Sequence, residues 1–247
     1  MTSKTQLITS AFKKAGAFIY PKVCLHCNDV GYNGMDLCER CYQGLSWVQY
    51  ACARCALPLS TANAPVCGAC SNRELHFDYA QTPFRFEGFI RDAVSQFKFN
   101  HKLNLGKLLA QLLTEHIENK CVDIPKIIIP VPLHKKRLRQ RGYNQALELA
   151  RIVCKEISSG LVYDEIYRNR DTSVQMELPA KQRHKNVKDA FSVKDDSTIL
   201  KNKHVCIVDD VMTTGNTVNE VAKCLKKVGA EEIGVWCIAR VSTGKDE

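Results

Sequence analysis

Eight of the thirteen cysteines lie within residues 24–70, in four pairs with the spacing Cys-x-x-Cys. The intervals that join successive pairs within each half are 10 residues (28–37) and 11 residues (56–66). Each pair can present two thiolates to one metal from a tight turn, and two pairs complete the tetrahedral shell that Zn²⁺ favours. Segment 22–75 has too few apolar residues for a core of its own, so we expect one or two structural zinc ions to stabilise it. The predicted ligands are Cys24, Cys27, Cys38, Cys41, Cys52, Cys55, Cys67 and Cys70.

Spacing alone leaves alternatives for this cysteine-rich segment. Sequential pairing gives two ribbons, and its short intervals favour it over an interleaved arrangement in which the first pair joins the third. An iron–sulfur cluster or redox-active thiols are the competing chemistries. One of the two sites can also be degenerate, and His26 lies inside the first pair as an alternative ligand. The odd cysteine count and the lack of a secretion signal argue against a disulfide framework.

The overall composition is typical of a globular protein, with 45% hydrophobic and 25% charged residues. No apolar run approaches the roughly 20 residues that cross a bilayer, and lysines interrupt the apolar stretch near the N-terminus. We therefore expect a cytoplasmic protein. The net charge is +9, and residues 126–190 carry 14 lysines and arginines against 7 acidic residues. That local excess favours a phosphate-rich ligand, either nucleotide, pyrophosphate or nucleic acid, although a solvated surface has the same composition.

Hydrophobic periodicity predicts a change of architecture near residue 76. Residues 5–20 form an amphipathic helix candidate, which would pack on the cysteine-rich module or contact a membrane surface. Further along the chain, buried strands alternate with amphipathic helices, as in a parallel sheet built from right-handed βαβ units. The predicted strands are 79–86, 127–132, 205–208 and 233–239, and the predicted helices are 90–118, 144–158 and one that contains residues 218–228.

These patterns predict an α/β fold. We expect a mostly parallel sheet flanked by helices, with a small N-terminal zinc-ribbon domain. The helix and double ribbon would occupy residues 1–75, and the sheet domain residues 76–247. Residues 166–190 are polar and weakly periodic, and we expect a mobile excursion there.

The most informative segment runs from Val205 to Thr217. Its buried strand leads into two adjacent carboxylates, Asp209 and Asp210, and a Thr-Thr-Gly turn precedes the next helix. A helix N-terminus offers unpaired N–H groups and partial positive charge to a phosphate, and Gly215 allows close backbone approach. Ligands bind beyond the carboxyl ends of parallel strands, so we favour a binding site over simple helix capping.

This segment resembles the motif that binds 5-phosphoribosyl-1-pyrophosphate (PRPP) in type I phosphoribosyltransferases. The resemblance implies a type I phosphoribosyltransferase-like fold and a site for PRPP with Mg²⁺. It also implies that Asp209 and Asp210 contact the ribose hydroxyls at the catalytic centre. The residues that would surround the 5′-phosphate are Thr213, Thr214, Gly215, Asn216 and Thr217, and Val211 and Met212 between the acidic pair and this turn would also belong to the PRPP site.

Further residues resemble one branch of that superfamily. They are Val131 to His134, the run 137–145, and the scattered positions Arg168, Arg170, Thr172, Gln175, Leu178, Arg183, Asn186, Val187, Ala190 and Phe191. Together with the cysteine-rich module, they resemble the ComF family of competence-associated proteins over nearly the whole chain. The resemblance implies a pyrophosphate loop with Leu133, His134, Lys135 and Arg137 closest to the ligand, and a flexible hood over the site at residues 166–190.

The same resemblance implies a role in natural transformation. The protein would handle incoming single-stranded DNA at the inner face of the cytoplasmic membrane, beside a helicase-like partner. The candidate contacts to nucleic acid are Arg139, Arg141, Arg168 and Arg170. Two other functions remain open: transfer of ribose phosphate to a nucleobase-like acceptor, and sensing of PRPP as a regulatory signal. The sequence identifies no general base and no acceptor pocket.

Overall fold

The computed structural model describes residues 21–63, 65–121, 123–171, 187–194 and 198–242. The chain divides into two compact units, Met1–Leu45 and Ser46–Glu247. The helix predicted over residues 5–20 lies outside the described residues. Within the described part of the chain, every helix falls short of the length or the apolar character needed to cross a bilayer.

The smaller unit is built around its four cysteines. Its one helix among the described residues is α1 (Glu39–Gln43), which begins directly after Cys38. A single antiparallel bridge joins Val23 to Val30. Leu37 and Cys24 are fully buried, and few other apolar side chains of this unit are buried with them. A metal shell therefore has to replace the core that this unit lacks.

The larger unit begins with a second cysteine-rich segment. Strands β1 (Tyr50–Ala51) and β2 (Pro58–Leu59) pair antiparallel, and helix α2 (Gly68–Ser71) follows Cys67. Four cysteines of this segment share one hydrophobic cluster with strands of the main sheet. The structure thus groups this segment with the sheet, whereas the sequence analysis placed the boundary at residue 75.

The remaining elements alternate between strands and helices. In the main sheet, each of the two central strands is connected through helices to the next strand on its outer side. In chain order they are β3 (Tyr79–Gln81), β4 (Phe84–Arg85), α3 (Gly88–Phe99), α4 (Leu103–Lys120), β5 (Ile127–Pro130), α5 (Lys135–Arg141), α6 (Gln145–Ile157), β6 (Gly160–Leu161), β7 (Ile166–Arg168), β8 (Phe191–Val193), β9 (His204–Met212), α7 (Asn216–Lys227) and β10 (Glu232–Arg240).

The main sheet has the order β3-β10-β9-β5-β6, with β4 also paired to β10, and these strand pairs are all parallel. From β5 the chain moves outward through α6 to β6, and from β9 it moves the opposite way through α7 to β10. The strand order therefore reverses between β5 and β9. A crevice opens at the carboxyl ends of strands at such a reversal, and ligands bind there.

Both faces of this sheet are covered, so strand residues that point to either face are buried. Ile127, Val205 and Ile207 belong to the cluster that α7 and the second cysteine segment cover. Ile128 and Cys206 point the opposite way by strand alternation and are equally buried. Strands buried on both faces read as continuous apolar runs, which is why the sequence predicted them.

Several predicted elements differ in detail. The helix predicted over 90–118 is two helices, α3 and α4, separated where His101 adopts a φ of 55°. The predicted loop after residue 132 contains helix α5, which ends at Gly142 with a φ of 79°. The predicted strand 79–86 is the short pair β3 and β4. Strand β9 extends to Met212, so the acidic pair lies within it.

The excursion predicted over 166–190 is only partly described. Its flanks, β7 and β8, pair antiparallel. Residues 172–186, the body of the predicted hood, lie outside the described residues.

Candidate functional site

A cavity of about 310 Å³ lies at the carboxyl ends of β5 and β9, where the strand order reverses. Strands, the loop after β9 and helices α3, α5 and α7 all contribute to its walls. Its lining includes Phe86, Lys98, Phe99, Leu133, Arg137, Arg141, Asn144, Arg168, Asp209, Asp210, Val211, Met212, Thr213, Gly215 and Thr217. The structure thus brings residues together that are more than 130 positions apart in the sequence.

The two carboxylates of β9 differ in environment. Asp210 is 4% exposed, and its Oδ2 lies 2.8 Å from Nζ of Lys98. Its Oδ1 accepts a hydrogen bond from the N–H of Val211 at 2.7 Å. Asp209 accepts from the N–H of Asp210 at 2.9 Å. Burial raises the pKa of Asp209 to about 7, the negative charge of Asp210 adds to the rise, and Lys98 opposes it.

The loop after the acidic pair leads into the N-terminus of α7. Gly215 is the N-cap of α7 and has a φ of 75°, a conformation that favours glycine. Thr213, Gly215 and Thr217 line the cavity. Thr214 and Asn216 do not, although the sequence analysis placed them with the others; Thr214 faces a second cavity, and Asn216 is buried. The first N–H groups of a helix lack intrahelical partners, so the start of α7 is suited to an anion.

The predicted pyrophosphate loop is divided between two cavities. Leu133 and Arg137 line the cavity with the acidic pair. His134 and Lys135 instead line a neighbouring cavity of about 740 Å³. Asp171 forms ion pairs with two cations of this segment. One of its carboxylate oxygens lies 3.4 Å from Nε of Arg137, and the other lies 3.5 Å from Nζ of Lys136. The separation arises because residues 135–141 form a helix, whose side chains point to different sides.

The four arginines that were candidates for nucleic acid contact also divide. Arg141 lines the cavity with its guanidinium 5.3 Å from the ring centre of Phe99, and burial lowers its pKa. Arg168 lines it too, and burial and the charge of Arg137 lower the pKa of Arg168 to about 10. Arg139 and Arg170 are exposed and line none of the described cavities.

Sequence reasoning missed three residues that complete this region. Lys98, near the end of α3, pairs with Asp210. Arg73 donates to the carbonyl of Thr214 at 2.8 Å, and Arg240 donates to the carbonyl of Met212 at 3.2 Å. No local motif marks Lys98 or Arg73, whereas Arg240 ends the apolar strand β10, and a charged residue in that position was an available signal.

Each set of four cysteines brings its sulfur atoms together, within 4.8 Å of one another. Zinc–sulfur bonds of about 2.3 Å in a tetrahedron place neighbouring sulfurs about 3.8 Å apart. The observed separations include 3.5 Å from Cys27 to Cys38 and 3.7 Å from Cys55 to Cys67. Both sets therefore fit structural zinc, and the sequential pairing is confirmed. The sets are Cys24, Cys27, Cys38 and Cys41, and Cys52, Cys55, Cys67 and Cys70.

The two clusters differ in burial. All four cysteines of the second cluster are buried, whereas Cys27 of the first is exposed. Burial raises the pKa of the Cys55 thiol to about 11, and the positive charge of Arg240 opposes that rise. His26 is absent from the groups of ligand atoms that the described residues form.

Comparison with known proteins agrees with this architecture. Residues 15–71 match the family model of a double zinc ribbon domain, and residues 139–247 match that of a phosphoribosyl transferase domain. Competence protein F of Haemophilus influenzae is 33% identical over 224 residues, which are 88% of this chain and 96% of that protein. DNA utilization protein YhgH of Escherichia coli K12 is 28% identical over 89% of this chain and 97% of that protein.

Among solved structures, a purine phosphoribosyltransferase from Pyrococcus horikoshii is 27% identical over 53% of this chain and 70% of its own, with a TM-score of 0.31. The similarity to competence protein F extends over most of both chains. This chain, in which a double zinc ribbon precedes a phosphoribosyl transferase domain, therefore belongs to the ComF family of competence proteins.

Proposed function

We propose that the cavity at the carboxyl ends of β5 and β9 binds PRPP together with Mg²⁺. One observation carries this proposal: the acidic pair, the N-terminus of α7 and Arg137 all line a single cavity of about 310 Å³. A sugar with a phosphate at one end and a diphosphate at the other needs two anion sites with hydrogen-bond acceptors between them. The lining of the cavity offers groups of both kinds, which supports the proposal.

The parts of the ligand follow from the chemistry of the lining. The 5′-phosphate would lie at the start of α7, beside the backbone N–H groups and hydroxyls of residues 213–217. Asp209 and Asp210 would accept hydrogen bonds from the ribose hydroxyls. The pyrophosphate would lie against Leu133 and Arg137, whose guanidinium matches phosphate oxygens in pairs. His134 and Lys135, which line the adjoining cavity, would contribute positive charge at longer range.

The acidic pair also fits Mg²⁺, because carboxylate oxygens are hard ligands and Mg²⁺ binds through one or two carboxylates together with phosphates of a substrate. When bound, Mg²⁺ would neutralise charge on a departing pyrophosphate. In the structure, Lys98 holds Asp210 in place, and the raised pKa of Asp209 leaves that carboxyl able to exchange a proton near neutral pH.

For the cellular role, we propose handling of incoming single-stranded DNA during natural transformation. The relatives are named for competence and for DNA utilization. Arg141 and Arg168 line the cavity, where they would contact a DNA end that reaches the bound sugar phosphate. The exposed Arg139 and Arg170 would contact backbone phosphates outside the cavity. A helicase-like partner at the inner face of the cytoplasmic membrane belongs to the same proposal.

A second candidate function is transfer of ribose phosphate to a nucleobase-like acceptor. Phe86 and Phe99 line the cavity, and aromatic rings provide stacking surfaces for a planar base. Turnover would release pyrophosphate from PRPP. A protein that only senses PRPP would bind it intact and release no pyrophosphate.

Isothermal titration calorimetry of the zinc-loaded chain with PRPP tests the proposal. We expect one site per chain, with tighter binding when Mg²⁺ is present, and no binding by a variant with both Asp209→Ala and Asp210→Ala. Absence of heat with the wild-type chain contradicts the proposal. Pyrophosphate release in the presence of nucleobases or single-stranded DNA then separates transfer from binding.

A salt series tests the DNA role. Affinity for single-stranded DNA should fall steeply as the salt concentration rises, because phosphate contacts release counterions. If transformation survives the loss of both aspartates, the PRPP site is not required for competence.

A further inference from the structure

Two arginines hold the backbone of the loop that leads into α7. Arg240, which is 6% exposed, donates to the carbonyls of Met212 at 3.2 Å, Thr213 and Val241. Arg73 donates to the carbonyl of Thr214 at 2.8 Å and to Oδ1 of Asn216 at 2.5 Å. Three successive carbonyls, of residues 212–214, are therefore bonded to guanidinium groups.

These bonds determine where the loop's N–H groups point. In a trans peptide the carbonyl and the following N–H lie on opposite sides of the chain. Thr213 and Gly215 line both the candidate site and a second cavity of about 230 Å³, so the loop is the wall between the two. Arg73 and Arg240 line the second cavity. Carbonyls held on that side leave the N–H groups of residues 213–215 directed towards the candidate site.

The second cavity also belongs to the second cysteine cluster. Cys55, Cys67 and Cys70 line it together with the two arginines. Arg240 bridges the cluster and the loop directly, because its Nε donates to the carbonyl of Cys55 at 3.2 Å. Arg73 follows shortly after helix α2, which carries Cys70.

Charge balance gives this bridge a physical reason. A buried guanidinium is costly unless an opposite charge compensates it. Among the described residues, no carboxylate lies within ion-pair distance of Arg240, whose bonds all go to carbonyl oxygens. A zinc ion with four thiolates carries a net charge of −2, and the cluster is adjacent to Arg240. The zinc–thiolate group is thus an available counter-charge for Arg240.

We propose that Arg73 and Arg240 are positioning residues for a phosphate-binding loop, and that the second zinc–thiolate cluster holds them in place. The ligand class is a pentose phosphomonoester, and this part rests on the proposed function. The second ribbon is then a component of the phosphate site, in addition to being a structural module.

The first test measures binding of ribose 5-phosphate and of inorganic pyrophosphate separately, by calorimetry on the zinc-loaded full chain. Arg73→Gln should weaken binding of ribose 5-phosphate about tenfold, and Arg240→Gln at least as much, because each removes charged hydrogen bonds that orient the loop. Pyrophosphate binding should stay within about twofold, since it uses the other end of the cavity. Arg73→Lys should recover part of the affinity.

Arg54→Gln is the matched control. Within the described part of the chain, Arg54 donates to the carbonyl of Cys70 at 3.1 Å and not to the loop. Its replacement should leave both affinities unchanged. Equal affinity of wild type and Arg73→Gln for ribose 5-phosphate overturns the inference, as does parallel loss of both ligands with a native circular dichroism spectrum.

The second test needs no ligand and therefore separates this inference from the proposed function. Hydrogen–deuterium exchange of a peptide that covers residues 209–217 should be faster in Arg73→Gln and in Cys67→Ser than in the wild type. It should be unchanged in Arg54→Gln and in Cys38→Ser, which alters the first cluster. Unchanged exchange in Arg73→Gln and Cys67→Ser overturns the inference; wild-type failure to bind any sugar phosphate, with exchange as expected, would reject only the proposed ligand.

Discussion

Two parts of the cavity lining hold positive charge in different ways. We call them, after the ligand groups proposed for them, the phosphate end (the loop after β9 and the start of α7) and the pyrophosphate end (Leu133 and Arg137). At the end formed by β9 and α7, three loop carbonyls are bonded to arginines, and Gly215 caps a 12-residue helix. At the other end, Arg137 belongs to a 7-residue helix and its charge is already paired with Asp171. The first end is ready for an anion, whereas the second must exchange a carboxylate for one.

This difference has an energetic consequence. A preorganised site loses little free energy in ordering its donors, so its hydrogen bonds contribute to affinity directly. A site whose cations are paired must first break those ion pairs. We therefore expect the phosphate end to bind a monophosphate alone and the pyrophosphate end to bind more weakly than its number of cations suggests.

The largest expected effect comes from Asp210→Asn, in the acidic pair that lines the same cavity. The substitution removes a charged acceptor for the ribose hydroxyls, so the Kd for PRPP should rise about 100-fold. It also leaves Lys98 without its buried partner, which should lower the free energy of unfolding by about 3 kcal/mol. Calorimetry and urea unfolding measure the two effects. Inorganic pyrophosphate titrated without Mg²⁺ should bind as before, and an equal loss for both ligands under that condition would contradict the division into two ends.

A smaller effect is expected from Arg137→Gln at the pyrophosphate end. Loss of one bidentate donor should weaken PRPP and inorganic pyrophosphate about tenfold while ribose 5-phosphate is unaffected. Arg139→Gln provides the control, because Arg139 lies on the same helix but lines none of the described cavities. If both variants behave alike, the charge acts only through the general field of the helix.

Asp171→Asn should act in the opposite direction. Removing the carboxylate that pairs with Lys136 and Arg137 should strengthen pyrophosphate binding about threefold, since exposed ion pairs of this kind are individually weak. Asp164→Asn is the control, because Asp164 pairs with Lys194 instead. Weaker binding by Asp171→Asn would show that this carboxylate positions the cations and does not compete for them.

A separate effect, on stability and not on binding, concerns pH and the half-buried Asp209. Its pKa is raised from 3.8 to about 7, so the folded chain binds this proton more tightly than the unfolded chain does. The resulting stability is complete below about pH 4 and is lost as the pH rises to about 7, with a slope of at most about 1.4 kcal/mol per pH unit. Asp209→Asn removes this component.

Urea unfolding of the wild type and of Asp209→Asn between pH 5 and pH 8 measures that component. The wild type should lose stability relative to the variant up to about pH 7, and the difference should then level off. Parallel curves would show that Asp209 is better solvated than the structure indicates. Carboxylates whose pKa is lowered, such as Asp171, act in the opposite direction but are common to both proteins.

The same comparison explains what the sequence could predict. The phosphate end is a contiguous motif, so its strand, acidic pair and helix start were visible, and the cysteine pairs were visible for the same reason. Arg73 and Lys98 were not visible, because their roles depend on contacts across more than 100 residues. At the pyrophosphate end, a run of basic residues does not reveal which of them share a cavity: Arg137 lines the cavity with the acidic pair, whereas Lys135 lines the neighbouring one.

A crystal structure of the chain with PRPP, Mg²⁺ and a short single strand of DNA tests the central claim most directly. We expect the 5′-phosphate at the N-terminus of α7, the ribose hydroxyls on Asp209 and Asp210, and the diphosphate beside Arg137. A sugar phosphate bound elsewhere, or the two aspartates turned away from it, would contradict the account.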